Sequence, residues 1–409
     1  ADGFPLGWAH RVPITINHDQ IDENLTDFTL VLTEEMSAVL SSVDGPLDAD
    51  GLRSSIDGGG DVRFSADEAG TQRLAVDVRD WVTDNDPASG SLEVAVKVPS
   101  ISLSTDTTIY LWWGNSEAVQ PSPAQEFGQY AAYDTNFSAI YSFTDDPATN
   151  QLSDRTSNGA HAIPNADGTG SIQRVDSALG TSWDFDGNPD ELTLGRYAEH
   201  VISNPQSFSQ VTWSAVVRAK SIRPVNAAAY MATVDSRRVG LNSSWQFDHS
   251  VDNSNELYAL ALRGTDNGGN AFFLDTPWHD LDWHHYAVTQ TEDGVLHLWR
   301  DGVEYATVFD LSGPVVFDVW AVNINRGHNR AADTQFIEAR FATGTARSAA
   351  WIKAEHANLL DPESLLSTGS PTDFVAILEI SSGDGQIATV DTPVSTPPSV
   401  VVKGPNDNP

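Results

Sequence analysis

The chain has 409 residues, of which 40% are hydrophobic, so it is long enough to form two or three domains with real cores. Its 57 acidic and 22 basic residues give a formal net charge of −35, a field that repels phosphate backbones and excludes nucleic acid as a partner. The absence of cysteine excludes disulfides, thiolate metal sites and cysteine nucleophiles.

The first third of the chain is a series of short alternating runs between turn formers. Alternation of apolar and polar residues is typical of half-buried strands, and repeated short strands favour an antiparallel sandwich. The runs are RVPITIN, DVRFSA, LEVAVKV and TTIYLWWG. Turn formers in PSPAQEFGQYAAYDTNF then break the alternation. We therefore predict a first β-sandwich domain over residues 1–130.

The same pattern continues over residues 131–370 and predicts a second antiparallel sandwich. Its clearest hairpin is WHHYAVTQTEDGVLHLWRDG, which crowds histidines and acids together. Adjacent residues of a strand point to opposite faces, so His284 and His285 cannot share one metal, and Asp-Gly favours a tight turn. We interpret this stretch as scaffold. SAAWIKAEHANLL (348–360) is the clearest helix.

The last segment, residues 371–409, is predicted to be an extended tail. FVAILEI, QIATV and SVVVK are typical of three short strands. A segment of 39 residues seldom makes an independent β domain. The tail is therefore a linker, the first strands of a further module, or a segment that pairs with another surface.

Four motifs of the second domain resemble laminin-G-like, concanavalin A-like domains. They occur in the family's order: TSWDFDGNPDELTLG, FSQVTWSAVVRAKS, WHHYAVTQTEDGVLHLWRDGVEYAT and QFIEARFATGTARSAAWIKAEH. The resemblance implies a two-sheet antiparallel jelly roll. In the first domain, GWAHRVPITINHDQIDENLTDFTLVL, GGGDVRFSADEAGTQRLAVDVRDWV and VKVPSISLSTDTTIYLWWGN resemble a bacterial domain of unknown function. That domain often precedes laminin-G-like domains in exported proteins.

The laminin-G-like resemblance also implies a structural calcium ion. Asp186 and Asp190 in DFDGNPD match the family's acidic turn, and Glu338 in FIEAR stands where the family often has an Asp-Glu pair. Carboxylate oxygens from loops are the ligands that Ca²⁺ prefers. The competing interpretation is that these acids form turns in an acidic chain.

The fold further suggests glycan binding, which needs exposed aromatic rings and a few polar groups. Three tryptophans and one polar run lie in loop-like contexts. The candidate ligand-binding residues are Trp245, Trp278, Trp320, Arg326, His328 and Asn329. The alternative is that the tryptophans fill a large core.

Motifs of catalysis are missing from the sequence: it has no paired-carboxylate strand, nucleophile elbow or zinc helix. We therefore expect a non-catalytic recognition or adhesion protein, and keep two alternatives. One is a structural subunit whose tail adds a strand to another copy. The other is a polysaccharide-active hydrolase or lyase.

The location of the protein is predicted from its hydropathy and its first residues. No run approaches the roughly 20 apolar residues of a membrane helix. The chain starts Ala-Asp-Gly without methionine, as a processed exported protein would. We expect an extracellular, cell-surface or periplasmic protein.

Overall fold

The computed structural model describes twelve stretches of the chain. They are residues 3–36, 38–165, 170–177, 179–186, 195–220, 231–236, 243–251, 258–276, 280–323, 331–374, 377–382 and 399–403. These residues form β-strands, short 3-10 turns and two α-helices. The prediction of an all-β chain built from antiparallel sandwiches is confirmed.

The first sandwich packs two antiparallel sheets on each other. Its strands are β1 (His10–Ile16), β2 (Leu25–Thr33), β3 (Arg63–Ser65), β4 (Arg73–Leu74), β5 (Val76–Val82), β6 (Ser91–Ile101) and β7 (Thr107–Trp113). One sheet contains β1, β7, β3 and β4 in that order, and the other is β2–β6–β5. Alternate residues of β1, namely Val12, Ile14 and Ile16, are fully buried between them, as the alternating pattern predicts.

The second sandwich is larger and also antiparallel. Its strands are β8 (Phe137–Tyr141), β9 (Ile163–Pro164), β10 (Ile172–Ser177), β11 (Gly180–Phe185), β12 (Ala198–Phe208), β13 (Val211–Ala219), β14 (Met231–Asp235), β15 (Ser244–Val251), β16 (Tyr258–Thr265), β17 (Ala271–Thr276), β18 (His284–Gln290), β19 (Val295–Arg300), β20 (Val303–Asp310), β21 (Val315–Val322) and β22 (Thr334–Thr343). One layer is β10–β11–β22–β13–β18–β19–β20, with β8 also on β22. The facing layer joins β9–β12–β21 to β14–β15–β16–β17.

The predicted helix forms as α1 (Ala349–Leu360), followed by the single turn α2 (Pro362–Leu365). Ser348 caps it, because its side chain accepts a hydrogen bond from the Trp351 backbone N–H. Helix α1 lies between the sandwiches: it follows β22, yet Trp351 and Ile352 belong to the core of the first sandwich.

The chain then returns to the first sandwich. Strands β23 (Leu366–Thr368) and β24 (Thr372–Asp373) both pair with β1 and complete its sheet. The Arg53 guanidinium donates two hydrogen bonds to the Asp373 carboxylate, at 2.7 and 2.8 Å, and Phe374 stacks on Trp112. The segment 366–373 spans the predicted boundary at residue 370, and in the fold it belongs to the first sandwich.

The rest of the described tail is a two-stranded antiparallel sheet of β25 (Ile377–Ser382) and β26 (Ser399–Lys403). Two of the three predicted tail strands therefore form, and the third, QIATV, lies outside the described residues. No helix among the described residues is long and apolar enough to cross a membrane.

Candidate functional site

One end of the second sandwich gathers many strand ends. Ala198 pairs with Val322, and Thr334 pairs with both Phe185 and Ala219. In the layer that also contains Ala198 and Val322, the pairs Met231–His249, Val251–Tyr258 and Leu260–Thr276 lie at the same end. We call this the loop end. It consists of residues 165, 170–172, 184–186, 195–198, 217–220, 231–233, 249–251, 258–260, 274–276, 280–284, 322–323 and 331–335.

One of the residues selected from the sequence is described at the loop end. Asp186 is described there and is exposed. Asp190, Trp278, Arg326, His328 and Asn329 lie outside the described residues, in segments whose flanking residues are at or next to the loop end. The flanked segments are 166–169, 187–194, 221–230, 252–257, 277–279 and 324–330. Strand register thus brings together the described residues that flank these segments, although they are far apart in sequence.

The loop end carries a fixed polar network. The Lys220 ammonium binds the carboxylates of Asp184 and Asp333, the latter at 2.8 Å, and Gln335 donates to Asp184 at 2.7 Å. Burial by itself would lower the pKa of Lys220, but the two carboxylates raise it. Side-chain exposure of 24% for Lys220 and 20% for Asp184 leaves these groups within reach of solvent. Such anchored polar groups at the base of loops can orient a ligand.

Trp283 is one described aromatic residue at this end that sequence reasoning did not choose. It is half-buried and immediately precedes β18, whose His284 pairs with Val217 near the end of β13. The Arg218 guanidinium lies 5.5 Å from the ring centroid of Trp283. A cation held over an indole ring fixes both side chains. Its position at the start of a strand was visible in the sequence, but its exposure was not.

The adjacent histidines separate across the sheet, as strand periodicity predicts. His284 places its Nδ1 2.7 Å from Asp301 and its Nε2 2.8 Å from Asp280. Fully buried His285 instead contacts Glu355 on the other face, at 3.0 Å. Burial would lower the pKa of His284, but the two carboxylates outweigh it and raise that pKa above its ordinary value. The pair is therefore two separate anchors.

Replacing Asp301 by asparagine is expected to lower the pKa of His284, because one of its two carboxylate partners becomes neutral. The raised pKa means that His284 stabilises the fold below about pH 6.5 and that this contribution is lost as pH rises through the raised value. An NMR titration of the imidazole ring checks this. If the pKa of His284 is the same in the Asp301→Asn variant, Asp301 does not contribute to raising that pKa.

Two predicted ligand-binding tryptophans are corrected by their burial. Trp245 is 1% exposed and Trp320 is 5% exposed. Trp245 packs edge-on against Phe317, and Trp320 lies with its ring centroid 4.9 Å from the same phenylalanine. Their strands, β15 and β21, direct these rings between the layers, since polar neighbours such as Gln246 occupy the alternate face. Neither ring is accessible to a sugar.

The predicted calcium ligand Glu338 is also corrected. Its Oε2 accepts 2.8 Å from Arg79 Nη1, and its Oε1 accepts from Arg79 Nη2 and Arg340 Nε. Both oxygens are thus used by guanidinium groups, and the side chain is 2% exposed. No cluster of three or more metal-ligating side chains occurs among the described residues. Calcium therefore stays a prediction that depends on Asp186 and Asp190.

Glu338 instead belongs to a buried group of ionisable residues between the two sandwiches, which we call the charge cluster. Its members come from β5, β6, β13, β18, β22, α1 and two connections. They are Asp77, Arg79, Glu93, Tyr133, Arg155, Ser214, His285, Glu338, Arg340 and Glu355. Burial would lower the pKa of Arg79, but surrounding carboxylates led by Glu338 hold it well above its usual range.

A β-bulge explains why the cluster was missed. Val216 pairs with Glu338 and the next residue, Val217, pairs with Phe336, so Ile337 is an extra residue in β22. Strict alternation would put Phe336 and Glu338 on one face. With the bulge, Phe336 enters the core of the second sandwich while Glu338 faces the first. The charges of Arg79 and Arg340 were visible, but their partners were not.

A family model matches part of the chain. Residues 58–154 match DUF2341, a domain of unknown function. This bears out the predicted domain of unknown function in the first part of the chain. The match starts later than the resemblance suggested and runs past residue 130. No curated protein matches the chain.

Solved structures that match this chain include toxin binding domains. The binding domain of botulinum neurotoxin serotype D is 14% identical, with a TM-score of 0.38, and the match covers 54% of this chain and 50% of that one. A structure of botulinum neurotoxin type C is 14% identical with a TM-score of 0.38, and the match covers 55% of this chain and 52% of that one. The binding domain of Paraclostridial Mosquitocidal Protein 1 is 14% identical with a TM-score of 0.36, and the match covers 51% of this chain and 49% of that one. The chain spans about half of each. At these scores the likeness does not extend to a shared function.

Proposed function

We propose that this is an exported recognition protein that binds glycans, without catalysis, at the loop end of the second sandwich. The observation that supports it is the convergence of strand ends there. The residues that flank six further segments also lie at or next to this end, and two of those segments contain Trp278 and Arg326. Binding residues are typically carried on loops held by a rigid scaffold. The first sandwich and helix α1 lie against the outer face of the β13–β18–β22 layer, which is the face that points away from the core of the second sandwich.

The chemistry at the loop end suits a polyhydroxylated ligand. Lys220 supplies donors, Asp184 and Asp333 supply acceptors, and Trp283 supplies a half-buried ring. Sugars are held by such a combination of ring stacking and a few convergent polar groups. In this proposal a calcium ion held by Asp186 and Asp190 would bind at the same end and order it.

The first test is a glycan array probed with the full chain, with and without a calcium chelator. Trp278→Ala and Arg326→Ala are expected to weaken binding at least about tenfold, because each removes a stacking or charged contact, about 1.4 kcal/mol. Glu292→Ala is the matched control, since Glu292 is exposed in the turn at the opposite end of the sandwich. It should bind like the unaltered chain.

The outcomes separate this proposal from its alternatives. Binding that is equally weakened by Glu292→Ala, or no binding under either condition, contradicts it. Shortening of a polysaccharide during incubation would instead indicate a hydrolase or lyase. Loss of self-assembly on deletion of residues 375–409, viewed by electron microscopy, would support the structural subunit. That deletion spares β23 and β24, which pair with β1 of the same chain.

A further inference from the structure

The charge cluster contains one more acid than it has arginines. Its carboxyl groups are those of Asp77, Glu93, Glu338 and Glu355, and its guanidinium groups are those of Arg79, Arg155 and Arg340. His285 donates from Nε2 to Glu355, and its buried Nδ1 has no hydrogen-bond partner among the described residues. A second proton on that ring would be unsatisfied. The arginines therefore leave one negative charge uncompensated when all four carboxyls are ionised.

Glu93 is the least well-paired of these carboxyl groups. Glu338 accepts three arginine hydrogen bonds, and Asp77 accepts two from Arg155 and one from Tyr133. Glu355 accepts from Arg340, His285 and Ser214. Glu93 accepts one bond, 2.9 Å from Arg79 Nη1, and that nitrogen is shared with Glu338. The uncompensated charge is thus least stable on Glu93.

The contact between the sandwiches encloses Glu93. A Cβ on Gly180, in the β10–β11 turn of the second sandwich, would lie 3.6 Å from Glu93 Oε2. Other ionisable side chains share its two neighbouring cavities or its strand pair. They are Glu34, Glu35, Asp80, Arg174, Asp176 and Glu338. Burial raises the pKa of Glu93 to about 7, against the partial opposing effect of Arg79.

A proton can reach this carboxyl from solvent. A cavity of about 30 Å³ lies beside Glu93 and Glu338, enough for one water molecule. A groove of about 310 Å³ between the β10–β11 hairpin and the first sandwich also reaches Glu93. Glu93 is therefore buried in the contact but is not sealed from water.

We propose that the contact between the two sandwiches holds one exchangeable proton on Glu93, and that losing this proton loosens the contact. Separation of the sandwiches returns Glu93 to water, where an ordinary glutamate is ionised at neutral pH. The closed form is therefore favoured at low pH, and the preference is lost as pH rises through neutrality. The difference between pKa values of 4.5 and about 7 corresponds to about a 300-fold change in the opening equilibrium.

Two measurements test this on the full chain. The first is a carbon-13 NMR titration of labelled glutamate carboxyls, assigned with Glu93→Gln. A carboxyl that titrates near neutrality and disappears in that variant is expected. A Glu93 pKa at or below the ordinary range of glutamate would overturn the proposal. That pKa is measured on the unaltered chain, so a variant that fails to fold cannot cause this result.

The second measurement uses the natural absence of cysteine. Ala287→Cys places one thiol on the face of β18 that packs toward α1 and the first sandwich, whereas Ala215→Cys places one inside the second sandwich. Thiol labelling rates are divided by those of the unfolded chain at each pH. Protection at residue 287 should fall by up to about 30-fold between pH 5.5 and 8.5, which is the part of the full change that lies within this window, and far less at residue 215.

The Glu93→Gln background is the decisive control, because glutamine keeps the shape and cannot lose a proton. There the pH dependence at residue 287 should vanish. If it persists, another group is responsible and the proposal is wrong. Loss of glycan binding by the loop-end variants does not affect either readout, so this inference and the proposed function fail independently.

Discussion

Replacing Arg79 by methionine is expected to lower the free energy of unfolding by about 3–5 kcal/mol. Arg79 is fully buried and donates to both Glu93 and Glu338. Removing one partner of a buried ion pair leaves uncompensated charge in a poorly solvated place, which costs far more than the pair contributes. Equilibrium unfolding in urea, followed by tryptophan fluorescence, measures the loss.

Lys353→Met is the control for that experiment. Lys353 pairs with Asp22 at 2.7 Å, also between the two halves of the fold, but the side chains are 38% and 58% exposed. Exposed pairs contribute about 1 kcal/mol or less. If the two variants lose equal stability, the charge cluster is not the main polar link between the sandwiches. Adding Glu338→Gln to Arg79→Met should recover part of the loss, since it removes one orphaned charge.

Trp351→Ala is expected to cost a similar amount, about 3–5 kcal/mol, by leaving a cavity. The indole is 5% exposed and its ring centroid lies 5.0 Å from that of Phe28 in the first sandwich. The Arg347 guanidinium covers it at 3.8 Å. Because α1 follows the last large strand of the second sandwich, this ring fixes that strand's helix in the core of the first sandwich. Differential scanning calorimetry should show a lower midpoint.

Leu360→Ala, on the same helix and half-buried, serves as the comparison. It should cost about 1 kcal/mol or less, because a half-exposed side chain leaves little cavity. A Trp351→Ala protein that melts like Leu360→Ala would mean that the helix is dispensable for joining the sandwiches.

The sequence was sufficient for the local structure because local structure follows periodicity. The split of His284 and His285, the hairpin they begin and the helix after Ser348 all come from short-range rules. Burial was harder to predict. Trp245 and Trp320 stand beside polar residues in sequence, which is equally typical of a loop and of a strand with one buried face.

The interface could not be predicted, since it depends on contacts between distant segments. Arg79 and Glu338 are 259 residues apart, and the extra residue Ile337 sets which face Glu338 occupies. The family resemblance assigns Glu338 to a calcium site. Only the three-dimensional arrangement shows that arginines neutralise this side chain instead. In contrast, Asp186 is exposed at the loop end.

The return of β23 to β1 has a consequence for synthesis on the ribosome. Ile14 pairs with Thr368, so an early strand must wait for more than 350 residues of translation before its edge is covered. Uncovered strand edges invite pairing with other chains, and long-range pairing is slow. The second sandwich can form while the first is still incomplete. Nascent chains paused before residue 366 should therefore be the ones that most need a chaperone.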